Sequence, residues 1–108
     1  MKKAAIIGGS MSGLFAANFL KQINWDYSIH EMVPEPLSGR GAGIATYDEL
    51  AKLVKLTTGY YKSLGISCNE RIVLNKQNEV MSKIKYPQVF TSWQYLYDVL
   101  LSNIDKKK

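Results

Sequence analysis

The sequence predicts an α/β fold organised around a parallel β–α–β unit at its N-terminus. Residues 4–7 form a short apolar run without polar alternation, which indicates a strand covered on both faces. A glycine-rich turn, residues 8–13, follows at once, and from Leu14 the apolar spacing becomes helical. Residues 27–31 then give a second strand that ends in an acid, Glu31. This order of strand, turn, helix and strand is typical of a nucleotide-binding unit.

The first predicted helix begins near Ser12, directly after the turn. Its apolar residues recur on one face, which we expect to cover the strands. The members of that face are Phe15, Ala16, Phe19, Leu20 and Ile23.

The start of this helix predicts an anion site. A first helical turn has unpaired N–H groups and partial positive charge from the helix dipole, so it favours a phosphate or pyrophosphate. In such a motif the first glycine permits the tight turn and the last lets the helix pack against the strand. The candidate cofactor-binding residues are Gly8, Gly9, Ser10, Met11, Ser12 and Gly13.

One position departs from the G-x-G-x-x-G pattern, because Ser10 replaces the middle glycine. A side chain therefore stands where the pyrophosphate would come closest. Serine is a small replacement, and its hydroxyl can donate a hydrogen bond to a phosphate oxygen. A strand–helix turn of another α/β protein that binds no phosphate remains an alternative interpretation.

Glu31 lies 23 positions after Gly8, near where a dinucleotide fold places its ribose-binding acid. A carboxylate there can accept hydrogen bonds from both ribose hydroxyls. It would repel an additional phosphate on that ribose, which argues against NADP in this cleft.

Residues 32–46 are predicted to be an irregular, glycine-rich loop. Long loops inside a compact domain are often functional, and binding residues concentrate on them. The loop can therefore lie over the cofactor, with Arg40 facing the ribose or the phosphates and with Gly41 and Gly43 close by. The alternative is a surface turn in which Arg40 is solvated.

The rest of the chain predicts a helix, a hairpin and a second helix. Thr46 and Glu49 have the spacing of a capping box, so a helix is expected from there to about Leu64, ended by Gly65. Residues 71–74 and 80–84 flank a turn at residues 75–78, and Pro87 is expected to end the second strand.

Thr91 or Ser92 can cap a third helix. Its apolar face is regular over three turns. The face consists of Trp93, Leu96, Tyr97, Leu100, Leu101 and Ile104.

Composition limits the functional classes. The chain has 108 residues, 46% hydrophobic and 21% charged, as expected of one small globular domain. The net charge is +5, but the lysines are scattered and are not interleaved with aromatic residues, so we expect no nucleic-acid partner. No apolar stretch is long enough to span a bilayer, and we expect a cytoplasmic location. A single cysteine, Cys68, excludes an internal disulfide and a cysteine metal cluster.

Four segments of the sequence resemble one protein family. IIGGSMSGLFAANFL, IHE, PLSGRGAGIATYDELAKLV and FTSWQYLYDVLL occur in the order found in single-component FAD-dependent aromatic hydroxylases. The resemblance is greatest to their dihydroxypyridine hydroxylase branch and spans nearly the whole chain. It implies a Rossmann-like FAD-binding fold with added helices and a β-hairpin.

The resemblance also implies roles for particular residues. The motif at Gly8, Ser10 and Gly13 would hold the FAD pyrophosphate, Glu31 would hold the adenosine ribose, and residues 40–43 would lie near the FAD. In this family NAD(P)H reduces the flavin, which then uses O2 to hydroxylate an electron-rich ring. Many relatives have an arginine that assists the FAD phosphates where this chain has Trp93.

The family's chains are several times longer, and their substrate pocket lies downstream. Residues 1–108 are therefore expected to be the N-terminal portion of one FAD/NAD(P)-binding domain, without a substrate domain and inactive alone. We also expect uncovered apolar surface, and with it either marginal stability or self-association of the isolated chain. Two alternatives remain open, namely an NAD-binding oxidoreductase module and a non-catalytic remnant or interaction module.

Overall fold

The computed structural model describes residues 1–33 and 42–104. Their helices and strands follow in the order β1 (Lys3–Ile7), α1 (Met11–Gln22), β2 (Asp26–His30), β3 (Gly43–Thr46), α2 (Asp48–Thr58), β4 (Ile66–Leu74), β5 (Val80–Ser92) and α3 (Trp93–Ser102). The predicted α/β class is confirmed.

The N-terminal β–α–β unit forms as predicted. β1 and β2 are parallel neighbours, with Ile6 opposite Ile29, and α1 packs against both strands. The outer face of the pair is open, since Ile7 is 82% exposed. The expectation that the first strand is covered on both faces is therefore wrong for the described residues. An unbroken apolar run indicates that both faces can be covered, but it does not supply the second covering layer.

The buried face of α1 differs from the predicted one. Leu14, Ala17 and Asn18 are fully buried, whereas Phe19 is 39% and Ile23 is 59% exposed. Asn18 interrupts the apolar pattern because its amide is used inside the core. Its Nδ2 donates to the carbonyl oxygens of Leu14 (2.8 Å) and Leu100 (3.2 Å), and its Oδ1 accepts from Asn103 Nδ2 (2.7 Å). The side chain therefore ties α1 to the end of α3.

α2 is shorter than predicted at both ends. Thr46 belongs to β3 and its hydroxyl donates to the carbonyl of Val89 at 2.8 Å, so the expected capping box does not form. The helix begins after Tyr47 and ends at Gly59, whose φ of +78° is the left-handed conformation that favours glycine. Gly65 is therefore not the helix stop.

The remaining strands form an antiparallel sheet in the order β3-β5-β4. β3 lies in the segment expected to be irregular, and β5 continues through Pro87 to Ser92 instead of ending before it. The ladder shifts register between Cys68 and Glu70, opposite this proline, where a residue without an N–H is tolerated. The predicted turn is present: the Asn75 side chain accepts from two backbone N–H groups, and Asn78 has a φ of +62°.

α3 matches its prediction. The Ser92 hydroxyl accepts from the Tyr95 N–H at 3.1 Å and caps the helix. The buried apolar core lies between the helices and β2. It consists of Leu14, Ala17, Tyr27, Val54, Leu64, Leu96, Tyr97, Val99, Leu100 and Ile104. Within residues 1–33 and 42–104, none of the helices combines the length and the hydropathy that a membrane span requires.

Candidate nucleotide-binding site

The turn after β1 has the geometry that the glycine motif predicts. Gly8 has a φ of +103°, a conformation that side chains rarely adopt, and its N–H donates to the carbonyl of His30 at 2.8 Å. The turn therefore leaves β1 beside the carboxyl end of β2.

Gly13 brings α1 unusually close to this turn. A Cβ built on Gly13 would lie 1.9 Å from the carbonyl oxygen of Gly8 and 3.3 Å from Cγ2 of Ile6. No side chain fits there without moving backbone, because the nearer atom belongs to the main chain. The predicted reason for a glycine at this position, close contact between helix and strand, is confirmed by this geometry.

Within residues 1–33 and 42–104, the N–H groups that open α1 have no hydrogen-bond acceptor. The first intrahelical hydrogen bond runs from the Leu14 N–H to the Ser10 carbonyl, so the N–H groups of Met11, Ser12 and Gly13 precede it. Ser10 is exposed, and its side chain makes no capping hydrogen bond. The first turn itself contains no acidic side chain that would compete with an anion for the positive end of the helix dipole.

Glu31 lies directly against the glycine turn. Its Oε1 accepts from the Gly9 N–H and its Oε2 accepts from the Val33 N–H, each at 3.0 Å. Its Cβ would stand only 3.2 Å from a Cβ added to Gly9. The acid and the start of α1 therefore lie at one end of the β1–β2 pair, as a site that bridges ribose and phosphates requires.

Sequence reasoning missed the amides that hold Glu31. Gly9 was predicted as part of a phosphate turn, whereas its N–H faces the carboxylate in this structure. Val33 is not among the residues that the sequence predicts for the site. A signal does exist for Val33, since an acid at a strand end can accept from the N–H two residues later.

The glycine-rich loop is only partly described. Arg40 and Gly41 lie outside the described residues. Gly43 begins β3 opposite Ser92, and among residues 1–33 and 42–104 no hydrogen bond joins it to the turn at residues 8–13. The Trp93 ring stacks on the Tyr97 ring, with centroids 4.8 Å apart. The backbone N–H of Trp93 donates to the carbonyl oxygen of Ala42.

The arrangement suits binding rather than acid–base chemistry. Its groups are backbone donors, a small hydroxyl and one carboxylate, which together match the phosphates and ribose of a dinucleotide. His30 is exposed, and its Nε2 forms a hydrogen bond with Ser28 Oγ at 2.9 Å. In the part of the chain that the structure describes, no cluster of three side chains able to hold a metal ion is present.

Comparison with known proteins gives a consistent group of relatives. No protein-family model matches the chain. Its sequence is 46% identical over 48 residues to 2,6-dihydroxypyridine 3-monooxygenase of Paenarthrobacter nicotinovorans. That match covers 44% of this chain and 12% of the relative, so the similarity is local.

Solved structures extend the similarity to almost the whole chain. The 2,6-dihydroxypyridine-3-hydroxylase of Arthrobacter nicotinovorans superposes with a TM-score of 0.86 at 27% identity, covering 98% of this chain and 27% of that protein. Klebsiella pneumoniae HpxO, solved with FAD and uric acid, has the same fold at a TM-score of 0.75 and 23% identity, covering 94% of this chain and 28% of its own. The chain thus spans little more than a quarter of these proteins. It is similar, in sequence and in fold, to the N-terminal part of the FAD-dependent hydroxylases.

Proposed function

We propose that this chain binds FAD and forms the FAD-binding portion of a flavin-dependent monooxygenase that hydroxylates an aromatic or N-heteroaromatic ring. The observation that carries the proposal is the position of Glu31 beside the glycine turn, with its carboxylate 3.0 Å from the Gly9 N–H. The local 46% identity to a dihydroxypyridine monooxygenase supports the same function.

Each residue of the site has a distinct role in this proposal. The N–H groups of Met11, Ser12 and Gly13 bind the pyrophosphate at the positive end of α1. The Ser10 hydroxyl donates to a phosphate oxygen, since it is exposed and caps no helical N–H. Glu31, whose carboxylate oxygens also accept from the Gly9 and Val33 N–H groups, accepts from the ribose hydroxyls.

The loop residues are also assigned to the proposed site. Arg40, Gly41 and Gly43 lie near the FAD, with the Arg40 cation facing its ribose or phosphates. Trp93 gives no cation at the start of α3, so the pyrophosphate charge is balanced by α1 and Arg40. The flavin, when bound, would be reduced by NAD(P)H and would then react with O2. The protein would position the flavin and exclude water.

The whole reaction needs more protein than these residues. The similar hydroxylases carry more than seventy percent of their length outside the region this chain covers. NAD(P)H and a small aromatic substrate are therefore proposed partners of the assembled hydroxylase, with the 108 residues inactive alone. We propose a cytoplasmic location and self-association of the isolated chain, which leaves apolar surface open.

Calorimetric titration of the purified 108-residue chain with FAD and with NAD tests this proposal against its alternatives. Saturable FAD binding, with a yellow protein after gel filtration, is the expected result. Saturable NAD binding without FAD binding would favour the NAD-dependent module. Absence of both, in a chain with a folded circular-dichroism spectrum, would favour the remnant or interaction module.

A further inference from the structure

The three glycines in the turn after β1 differ in what requires a glycine. Gly8 has a φ of +103°, which side chains rarely adopt, and a Cβ on Gly13 would lie 1.9 Å from a main-chain oxygen. Gly9 has neither constraint, because its φ is not positive and the three atoms nearest to an added Cβ all belong to side chains. The G-x-G-x-x-G pattern also leaves this second position unspecified. Neither the backbone nor the motif therefore explains Gly9.

The space beside Gly9 is occupied by the last residues of β2 and the acid that follows them. An added Cβ would lie 3.2 Å from Cβ and 3.5 Å from Cγ of Glu31, and 3.4 Å from Cγ2 of Ile29. Carbon atoms pack best at about 3.5–4.0 Å, so the shortest of these contacts would push Glu31 away from the turn. The absence of a side chain at Gly9 is what gives Glu31 its present place.

Gly9 also holds the carboxylate of Glu31 directly. Oε1 accepts from the Gly9 N–H and Oε2 accepts from the Val33 N–H, each at 3.0 Å. With one amide on each oxygen, both the position and the rotation of the carboxylate plane are set before a ligand binds. A group that is ordered in advance loses less freedom on binding, which favours affinity.

We propose that Gly9 is a positioning residue for the adenosine ribose of the bound dinucleotide. Its missing side chain and its N–H together place the Glu31 carboxylate where it accepts from the ribose hydroxyls. Gly9 therefore acts through Glu31 and sets the preference of the site for a ribose with free hydroxyls. This inference rests on the proposed function for the identity of the ligand.

Two nucleotides separate ribose recognition from phosphate binding. ADP carries both ribose hydroxyls and 2′,3′-dideoxyadenosine diphosphate carries neither, whereas their pyrophosphates are the same. The ratio of their dissociation constants, measured by calorimetry on the full 108-residue chain, reports the ribose contacts. In the parent chain ADP should bind about tenfold more tightly, because the analogue makes no hydrogen bond to the carboxylate.

Gly9→Ala and Gly9→Val should reduce this preference for ADP in steps. Alanine requires a small displacement of Glu31, and valine, with two further carbons, requires a larger one. The ratio should fall to about threefold and then to about one, because hydrogen bonds weaken as they lengthen and bend. Binding of the dideoxy analogue should stay within about twofold of the parent value, since the phosphate contacts at α1 are unchanged. Ala51→Val enlarges an exposed side chain on α2, so this control should leave both dissociation constants unchanged.

A double-mutant cycle shows whether Gly9 acts through Glu31. Glu31→Ala has no carboxylate to displace, so adding Gly9→Val to it should change the ratio no further. A full preference for ADP in Gly9→Val would overturn the proposal, and so would a change in the ratio when Gly9→Val is added to Glu31→Ala. Equal weakening of both nucleotides would overturn it as well and would assign Gly9 to the phosphate turn.

NMR of the ligand-free chain separates this inference from the proposed function. The Val33 N–H donates to the Glu31 carboxylate, so its amide proton resonance should move in Gly9→Val and stay in place in Ala51→Val. An unmoved resonance in Gly9→Val overturns the control of Glu31 by Gly9. A moved resonance in a chain that binds neither FAD nor ADP contradicts the proposed function, and with it the ribose as the ligand. A chain that binds FAD, with a preference for ADP that Gly9→Val does not alter, contradicts the positioning role alone.

Discussion

At the scale of single residues, Gly13 is the position where one added carbon should have the largest effect. Its Cβ would lie 1.9 Å from the carbonyl oxygen of Gly8, which is a main-chain atom. Gly13→Ala should lower the free energy of unfolding by about 3 kcal/mol, the upper range for overpacking. Urea denaturation measures this. Gly43→Ala is the control for stability, because nothing lies within 4 Å of its Cβ.

Asn18 makes a second single-residue prediction. Its amide is fully buried and bonds α1 to both Leu100 and Asn103 of the α3 end. Asn18→Ala leaves the Asn103 amide without this acceptor and opens a small cavity, so stability should fall by about 2–3 kcal/mol. Asn69→Ala, at an exposed position of β4, should change it by less than about 0.5 kcal/mol. Equal losses would show that the Asn18 contacts carry no net stability.

Sequence predicted the outline of the site at this scale because its residues are close together in the chain or regularly spaced. Glu31 follows from its distance to Gly8, and Gly13 follows from the motif. The double attachment of Glu31 to Gly9 and Val33 could not be predicted, since it depends on how β2 turns after its last residue.

At the scale of elements, the sequence predicts correctly a helix whose cap and apolar spacing lie within its own residues. Ser92 caps α3 as predicted, and the helix buries the predicted stripe. β3 was missed because a four-residue strand is defined by its partner, residues 89–92 of β5, and not by its own pattern. The predicted α2 is longer than the observed helix, because both Gly59 and Gly65 can end a helix and apolar residues continue between them.

The cap of α3 gives a prediction at the element scale. Ser92→Ala removes the acceptor of the Tyr95 N–H, so it should cost about 1 kcal/mol of stability. Ser67→Ala, at an exposed position of β4, is the matched substitution without a capping role. Thermal denaturation followed by circular dichroism compares the two. A cap that contributes nothing would give the same midpoint for both variants.

At the scale of the whole molecule, the buried core is separable from the outer part of the β4–β5 hairpin, residues 70–85, which we call the arm. The buried apolar residues lie in the helices, in β2, in the segment before β4 and just after α3, so folding of the rest of the molecule should not depend on the arm. Replacing residues 71–84 by Asn-Gly joins Glu70 to Lys85, which face each other in the ladder, by a favoured two-residue turn. The thermal midpoint should shift by less than about 5 °C. Loss of the cooperative transition would show that the arm is part of the folding unit.

The central claim is that Glu31 and the start of α1 form one nucleotide site. The most direct measurement is the FAD dissociation constant of the parent chain, Glu31→Ala and the control Glu49→Ala, whose exposed acid lies on α2. Loss of hydrogen bonds to a charged group should weaken FAD binding of Glu31→Ala by about 1–3 kcal/mol, or about 5- to 150-fold. Glu49→Ala should bind like the parent. Equal affinities for all three, or no FAD binding by a folded parent chain, would contradict the claim.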